Sequence, residues 1–243
     1  DSFYLQTDPV TEGSNSVNIT DAWVYVDGTL ISVDELPAMV PVLESGDKEV
    51  LVFGGVLENG ISTTRAPYPF YRAFDTVLNL QSQKIDTLVP VLEYLSTATF
   101  KMIEDFEGGH NFQNMTVTND PDLVFEGVRS GLIVLDDVNS SFASSSAQMA
   151  IPGQGTTVYA EMNYRNTESF KVSLFVHNLA TGAYEVPLIT VTPKSEWNKI
   201  YIDLTSAVST NDGDSYQLLF TGNKPDSVNT AAFYWDNIKI VHF

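Results

Sequence analysis

The sequence predicts an all-β protein built from two antiparallel sandwiches, and three patterns carry that expectation. The first is a set of turn pairs, Asp27-Gly28, Ser45-Gly46 and Asn59-Gly60, each lying between short runs rich in strand-forming residues. The second is strict alternation in Thr156–Tyr164, Phe170–His177 and Trp197–Leu204, which gathers apolar side chains on one face of each run. The third is that no helical period longer than a turn or two occurs between residues 17 and 98. At 243 residues the chain exceeds the usual single-domain size of ~100–150, so two domains are expected. The divisions are a polar lead-in over 1–16, a small sandwich over 17–98 and a longer one over 99–243, with the join near 96–101.

In order, residues 1–16 are polar enough to read as a tether. Val17–Val26 and Thr29–Val33 flank Asp27-Gly28, the strongest short-range hairpin signal, because a type I′ turn needs positive φ at both central residues. Pro37 and Pro41 interrupt any helix over Leu36–Leu43. Val50–Phe53 has the look of a buried strand. Pro67 and Pro69 keep 66–74 out of a central strand, and its rings Tyr68, Phe70 and Tyr71 are expected to be buried for their area rather than to form a stacking platform. Val77–Leu80 and Lys84–Leu92 close the first set.

In the second half, alternation sends Val158, Ala160, Met162 and Tyr164 inward, then Phe170, Val172, Leu174 and Val176, then Ile200, Ile202 and Leu204. Tyr216–Phe220 and Phe233–Val241 complete five strands, with one wet face expected per sheet. The outward register then holds Tyr159, Phe175, Trp197, Tyr201 and Trp235, interleaved with Glu161, Asn163, Lys171, His177, Lys199 and Asn237. Exposed rings stack on the apolar faces of sugars while amides and charges bond hydroxyls, so these five rings are the candidate ligand-binding set. The alternative is that loops or the first domain cover them.

Composition narrows the function. Residues 1–98 carry 4 basic and 14 acidic residues and the remainder 8 and 17, giving nets of -10 and -9. A field negative throughout repels nucleic acid and anionic lipid, tolerates neutral ligands and favours divalent cations. With no cysteine, disulfides, thiolate catalysis and Cys-held metals are out. No apolar run is long enough for a membrane-spanning helix. Asp1 is not an initiator Met, so the chain is expected to be a processed or trimmed product. His110, His177 and His242 lack zinc spacing, Gly153-Gln154-Gly155 lacks the rest of a phosphate loop, and no Gly-x-Ser-x-Gly occurs. The pair Asp136-Asp137 reads as a solvated loop rather than a glycosidase centre.

One acid stands apart. Alternation over Phe233–Val241 puts Asp236 on the face of Tyr234, Ile238 and Ile240, and an unpaired buried carboxylate costs several kcal/mol. Acids also gather at Glu104, Asp105 and Glu107 beside Gly108-Gly109, a set suited to Ca²⁺ with its ~6–8 oxygen ligands. Backbone N–H groups, Lys101 or a break in the alternation would serve Asp236 otherwise.

Two resemblances add to this. Val24–Gly28, Leu36-Pro37, Ser45-Gly46 and Val50–Phe53 together resemble the small immunoglobulin-like or transthyretin-like modules of bacterial surface proteins. Asp105–Gly108, Val128–Gly131, Glu196–Leu204 and Phe233–Ile238 resemble the galactose-binding-like jelly roll shared by many carbohydrate-binding modules. That resemblance implies a non-catalytic protein that binds a neutral glycan, with a structural calcium held by Glu107 and Asp236 and less firmly by Asp105. The two-domain whole resembles uncharacterised surface lipoproteins of Gram-negative gut bacteria. This implies an extracytoplasmic, outer-membrane location and a lipid anchor upstream of Asp1. A protein-binding or structural surface module, and a glycosidase with an unrecognised site, are the alternatives.

Overall fold

The computed structural model describes residues 3–153, 155–211 and 213–243, and the chain divides into two compact units, Asp1–Ala98 and Thr99–Phe243. Gln154, within the glycine pair considered above, lies outside the described residues.

The first unit contains β1 (Tyr4–Gln6), β2 (Asp21–Val26), β3 (Thr29–Glu35), β4 (Gly46–Leu57), β5 (Arg65–Pro67), β6 (Phe74–Leu80) and β7 (Val91–Glu93). The Asp27-Gly28 turn joins β2 to β3 with both residues at positive φ, 46° and 77°, as the hairpin signal requires. A five-stranded antiparallel sheet runs β3-β2-β4-β5, with β6 also on β4. The second layer is thin. It consists of the parallel pair β1–β7 and segments 36–45 and 81–90, which form no strands. Leu92 lies on β4 at Gly54, where a Cβ would stand 2.9 Å from Leu92 Cδ1 and from Ile19 Cδ1. Only a residue without a side chain lets these elements approach so closely.

The lead-in is not a tether. Phe3 and Leu5 are buried and Tyr4–Gln6 pairs in register with Val91–Glu93. Two apolar residues spaced two apart were enough to make a strand inside a polar stretch. Tyr68, Phe70 and Tyr71 are buried as expected, and edge-on ring contacts run from Tyr68 to Phe70 and to Tyr71 (5.5 and 4.6 Å).

The second unit contains β8 (Thr99–Glu104), β9 (Thr116–Thr118), β10 (Ser130–Leu135), β11 (Ser141–Ser145), β12 (Val158–Asn166), β13 (Phe170–Asn178), β14 (Gly182–Val191) and β15 (Lys194–Asp203). A short helix α1 (Thr205–Thr210), then β16 (Ser215–Asn223) and β17 (Ala231–His242), follow. These make the expected jelly-roll-like sandwich: a six-stranded sheet β15-β12-β17-β10-β9, with β8 on β17, and a four-stranded sheet β11-β16-β13-β14. Between them lies one core containing Val158, Ala160 and Met162 of β12, Phe170, Val172 and Leu174 of β13, and Phe220 of β16. The opening and closing strands meet: β8 pairs with β17, Glu104 opposite Ile238.

β17 breaks its alternation. Its partners on β12 jump from Lys239↔Glu161 to Asp236↔Asn163, and Asn237 takes φ 48°. This bulge inserts one residue, so Ala231, Phe233 and Trp235 face the core before it and Ile238 and Ile240 after it. Asp236 therefore leaves the face of Ile238 and Ile240 on which strict alternation placed it.

Candidate functional site

The outer face of the four-stranded sheet carries the candidate site, and β13 sets it. Because Phe170, Val172, Leu174 and Val176 fill the core, Lys171, Ser173, Phe175 and His177 must stand on the other side. Neighbouring strands complete each row: Gln217 of β16 and Glu185 of β14 flank Phe175, and Ser215 flanks His177. The Phe175 ring is half-buried and stands edge-on to His177, with centroids 5.1 Å apart and planes at 78°.

Around that ring the polar groups are already ordered. The Ser173 hydroxyl donates to Glu185 Oε1 at 2.6 Å. His177 Nε2 lies 2.7 Å from Gln217 Oε1, and Gln148 Nε2 lies 3.3 Å from His177 Nε2 and 3.5 Å from Nδ1. A proton on Nε2 lets the imidazole donate to Gln217 Oε1. The Ser215 hydroxyl donates to Gln148 Oε1 at 3.4 Å. The result is one apolar ring face bordered by amides, hydroxyls and an imidazole on a rigid sheet. Such a surface can stack on a sugar and hydrogen-bond its hydroxyls.

The other four expected rings do not join it, because they lie on the six-stranded sheet. Trp235 is in the core at 0% exposure, stacked on Phe220 at 5.2 Å, as the bulge at Asn237 dictates. Tyr159 and Tyr201 do occupy the outward register but are 4% and 1% exposed. That face is not wet: Glu161, Asn163, Lys199 and Lys239 are buried on it too, with Lys199 Nζ 2.7 Å from Glu161. Trp197 is half-buried against Phe125 (5.4 Å) and Tyr234 (6.3 Å). Alternation predicts which side of a sheet a residue takes, not whether that side meets water.

The acids are also reassigned. Glu104, not Asp105, is the buried acid of the opening strand; it accepts from the N–H groups of Phe106 (3.0 Å) and Asn111 (2.8 Å), and burial raises its pKa. Asp105 is exposed and accepts from Glu107 N–H at 3.0 Å. Glu107 Oε1 accepts from Val128 (2.8 Å) and Arg129 (3.0 Å), and a Cβ on Gly127 would lie 2.2 Å from that oxygen. Asp236, 1% exposed, accepts from the Ser130 hydroxyl (2.6 Å), Asn237 N–H (2.8 Å) and Glu126 N–H (3.4 Å). Burial pushes its pKa up to about 7 against these hydrogen bonds, with Glu126 nearby adding to the rise.

Glu107 and Asp236 thus grip the same 126–130 segment through N–H and O–H donors. Ca²⁺ wants ~6–8 converging oxygens. Among the described residues no group of three or more His, Asp or Glu side chains is arranged to hold an ion.

Gln217, Gln148 and Glu185 were not singled out from the sequence. Alternation along Tyr216–Phe220 contains the signal for Gln217, since Tyr216, Leu218 and Phe220 claim the core. Gln148 gave none, because it reaches the face from a segment outside the strands.

No family model and no curated protein matches this chain. Among solved structures, it is similar to the C-terminal family 22 carbohydrate-binding module of Clostridium thermocellum Xyn10B, at 16% identity and TM-score 0.41 over 58% of this chain and 91% of that one. A structure described as a carbohydrate-binding module of the β-sandwich superfamily is similar at 14% identity and TM-score 0.42 over 91% of this chain and 85% of that one. The enzymatically active domain of bacteriophage CBA120 tailspike protein 4 is similar at 11% identity and TM-score 0.43, covering 54% of this chain and 19% of that one. At such scores these likenesses carry no argument about function, which has to come from the sheet face itself.

Proposed function

We propose that this protein is a non-catalytic binding protein whose second unit holds a neutral glycan on the outer face of β13, β14 and β16. The observation that supports this most is Phe175: a half-buried aromatic ring fixed between Gln217 and Glu185 on a face otherwise made of hydrogen-bonding groups. A ring in that setting offers a pyranose its C–H contacts while the exposed Gln148 and half-buried His177 beside it serve its hydroxyls. The charge balance supports an uncharged ligand, because a unit of net -9 disfavours uronic or sulfated sugars. An extracytoplasmic setting belongs to the same proposal, since polymeric glycans are met there. The lipid anchor upstream of Asp1 rests on resemblance alone.

A glycan array followed by calorimetry on the strongest neutral hit tests the site. Phe175→Ala is expected to weaken binding at least tenfold, and Trp197→Ala to leave it within about twofold. Equal affinity of the Phe175 variant, or loss only on Trp197→Ala, overturns the assignment.

A further inference from the structure

The sheet of the first unit has one face with no counterpart in the glycan site. Val24 and Val26 of β2, Val50 and Val52 of β4, and Leu78 and Leu80 of β6 wall a cavity of about 1040 Å³. Its far wall is segments 36–45 and 81–90, which form no strands and leave Met39, Leu43 and Ile85 exposed. Interiors are normally filled to crystal-like density, and apolar cavities hold water poorly. This one is at the upper end of the ~300–1,000 Å³ typical of small-molecule sites.

Its chemistry selects the ligand. The walls contributed by β2, β4 and β6 are aliphatic, and the one ring in the described lining, Phe3, is buried, so the cavity offers a sugar little to stack on. A flexible hydrocarbon chain matches both the lining and the volume. The mouth carries the uncharged groups of Gln81, Ser82, Gln83 and Thr87, and its one cation, Lys84, is paired with Asp86 at 2.7 Å. Glu44 at the same mouth is paired with Lys48 at 3.2 Å. Among the described lining residues no cation is left over for an anionic head, and the unit as a whole is at net -10. We propose that the first unit binds the acyl chain of an uncharged lipid ester, of the monoacylglycerol type, between β2, β4 and β6 and the 36–45 and 81–90 segments.

Calorimetric titration of the whole chain with octanoyl, decanoyl and dodecanoyl monoglycerides, below their micelle-forming concentrations, tests this. Saturable binding is expected to tighten roughly fourfold for each added CH₂. Dodecanoate is expected to bind at least tenfold more weakly than the dodecanoyl ester. Val24→Phe, which narrows the cavity at β2, is expected to weaken binding at least tenfold while Phe175→Ala leaves it unchanged, so the two sites fail or stand separately. Leu78→Phe, read by displacement of the neutral dye Nile red, replaces Val24→Phe if that variant does not fold. Absence of binding, affinity indifferent to chain length, undiminished binding by a folded narrowed variant, or preference for the carboxylate would each overturn the proposal.

Discussion

Raising the pH from about 4 to about 9 titrates a group the fold holds at a disadvantage, Asp236. Its ordinary pKa of 3.8 is pushed to about 7 by burial. The unfolded chain therefore releases this proton near pH 4, while the folded chain keeps it until pH 7. Over that interval the folded state binds more protons, so its stability falls as pH rises and the loss is complete above the folded value. Each pH unit costs roughly 1.4 kcal/mol, so the interval is worth on the order of 4 kcal/mol. Glu104 shifts in the same direction, and the negative surface adds self-repulsion, so wild type alone does not isolate Asp236. Asp236→Asn does, because it cannot ionise. The assay is urea unfolding followed by tryptophan fluorescence in a Trp23→Phe background, leaving Trp197 and Trp235 to report on the second unit. The variant is expected to lose part of the Ser130 and N–H bonding at low pH, costing roughly 1–2 kcal/mol, and to recover that deficit or reverse it above pH 7. Parallel stability curves for wild type and variant across the range would refute the reasoning.

Three further outcomes follow from the same geometry. Trp235→Ala empties a fully buried site stacked on Phe220 and is expected to cost roughly 3–5 kcal/mol in the same unfolding assay; a cost below about 1 kcal/mol would place that ring outside the core. Gly127→Ala combines a left-handed φ of 68° with a Cβ 2.2 Å from Glu107 Oε1, and a loss of about 2 kcal/mol or more is expected, whereas a neutral result would mean Glu107 does not grip Val128 and Arg129. Chelator or millimolar Ca²⁺ is expected to leave the melting temperature of the second unit unchanged; a rise of several degrees with Ca²⁺ would restore the ion to the acids near β8 and β17.

Much of the fold was legible because local rules and tertiary packing agree. The Asp-Gly hairpin formed as its turn chemistry demands, and β12, β13 and β15 bury the sides their alternation specifies. Three failures have one origin, since each depended on something beyond nearest-neighbour pattern. β1 formed because a distant strand, β7, was there to pair with it. Trp235 turned inward because a bulge at Asn237 shifted the register by one, and no residue before it announces that shift. Tyr159 and Tyr201 took the outward side correctly, yet that side is buried, which two-fold alternation does not encode. Phe175 alone among the five rings lies on the four-stranded sheet, where it is half-buried. The signal that separates it from the others is its company: its strand neighbours are Gln217 and Glu185, whereas Tyr201 is opposite Glu161 within a buried charged layer.

The central claim, a glycan-binding face on the four-stranded sheet, is tested most directly by mapping backbone amide shifts while titrating the best neutral oligosaccharide into isotope-labelled protein. Perturbations concentrated at Ser173, Phe175, His177, Glu185 and Gln217 are expected. Perturbations centred instead on Trp197 and the 126–130 segment, or confined to the first unit, would contradict it.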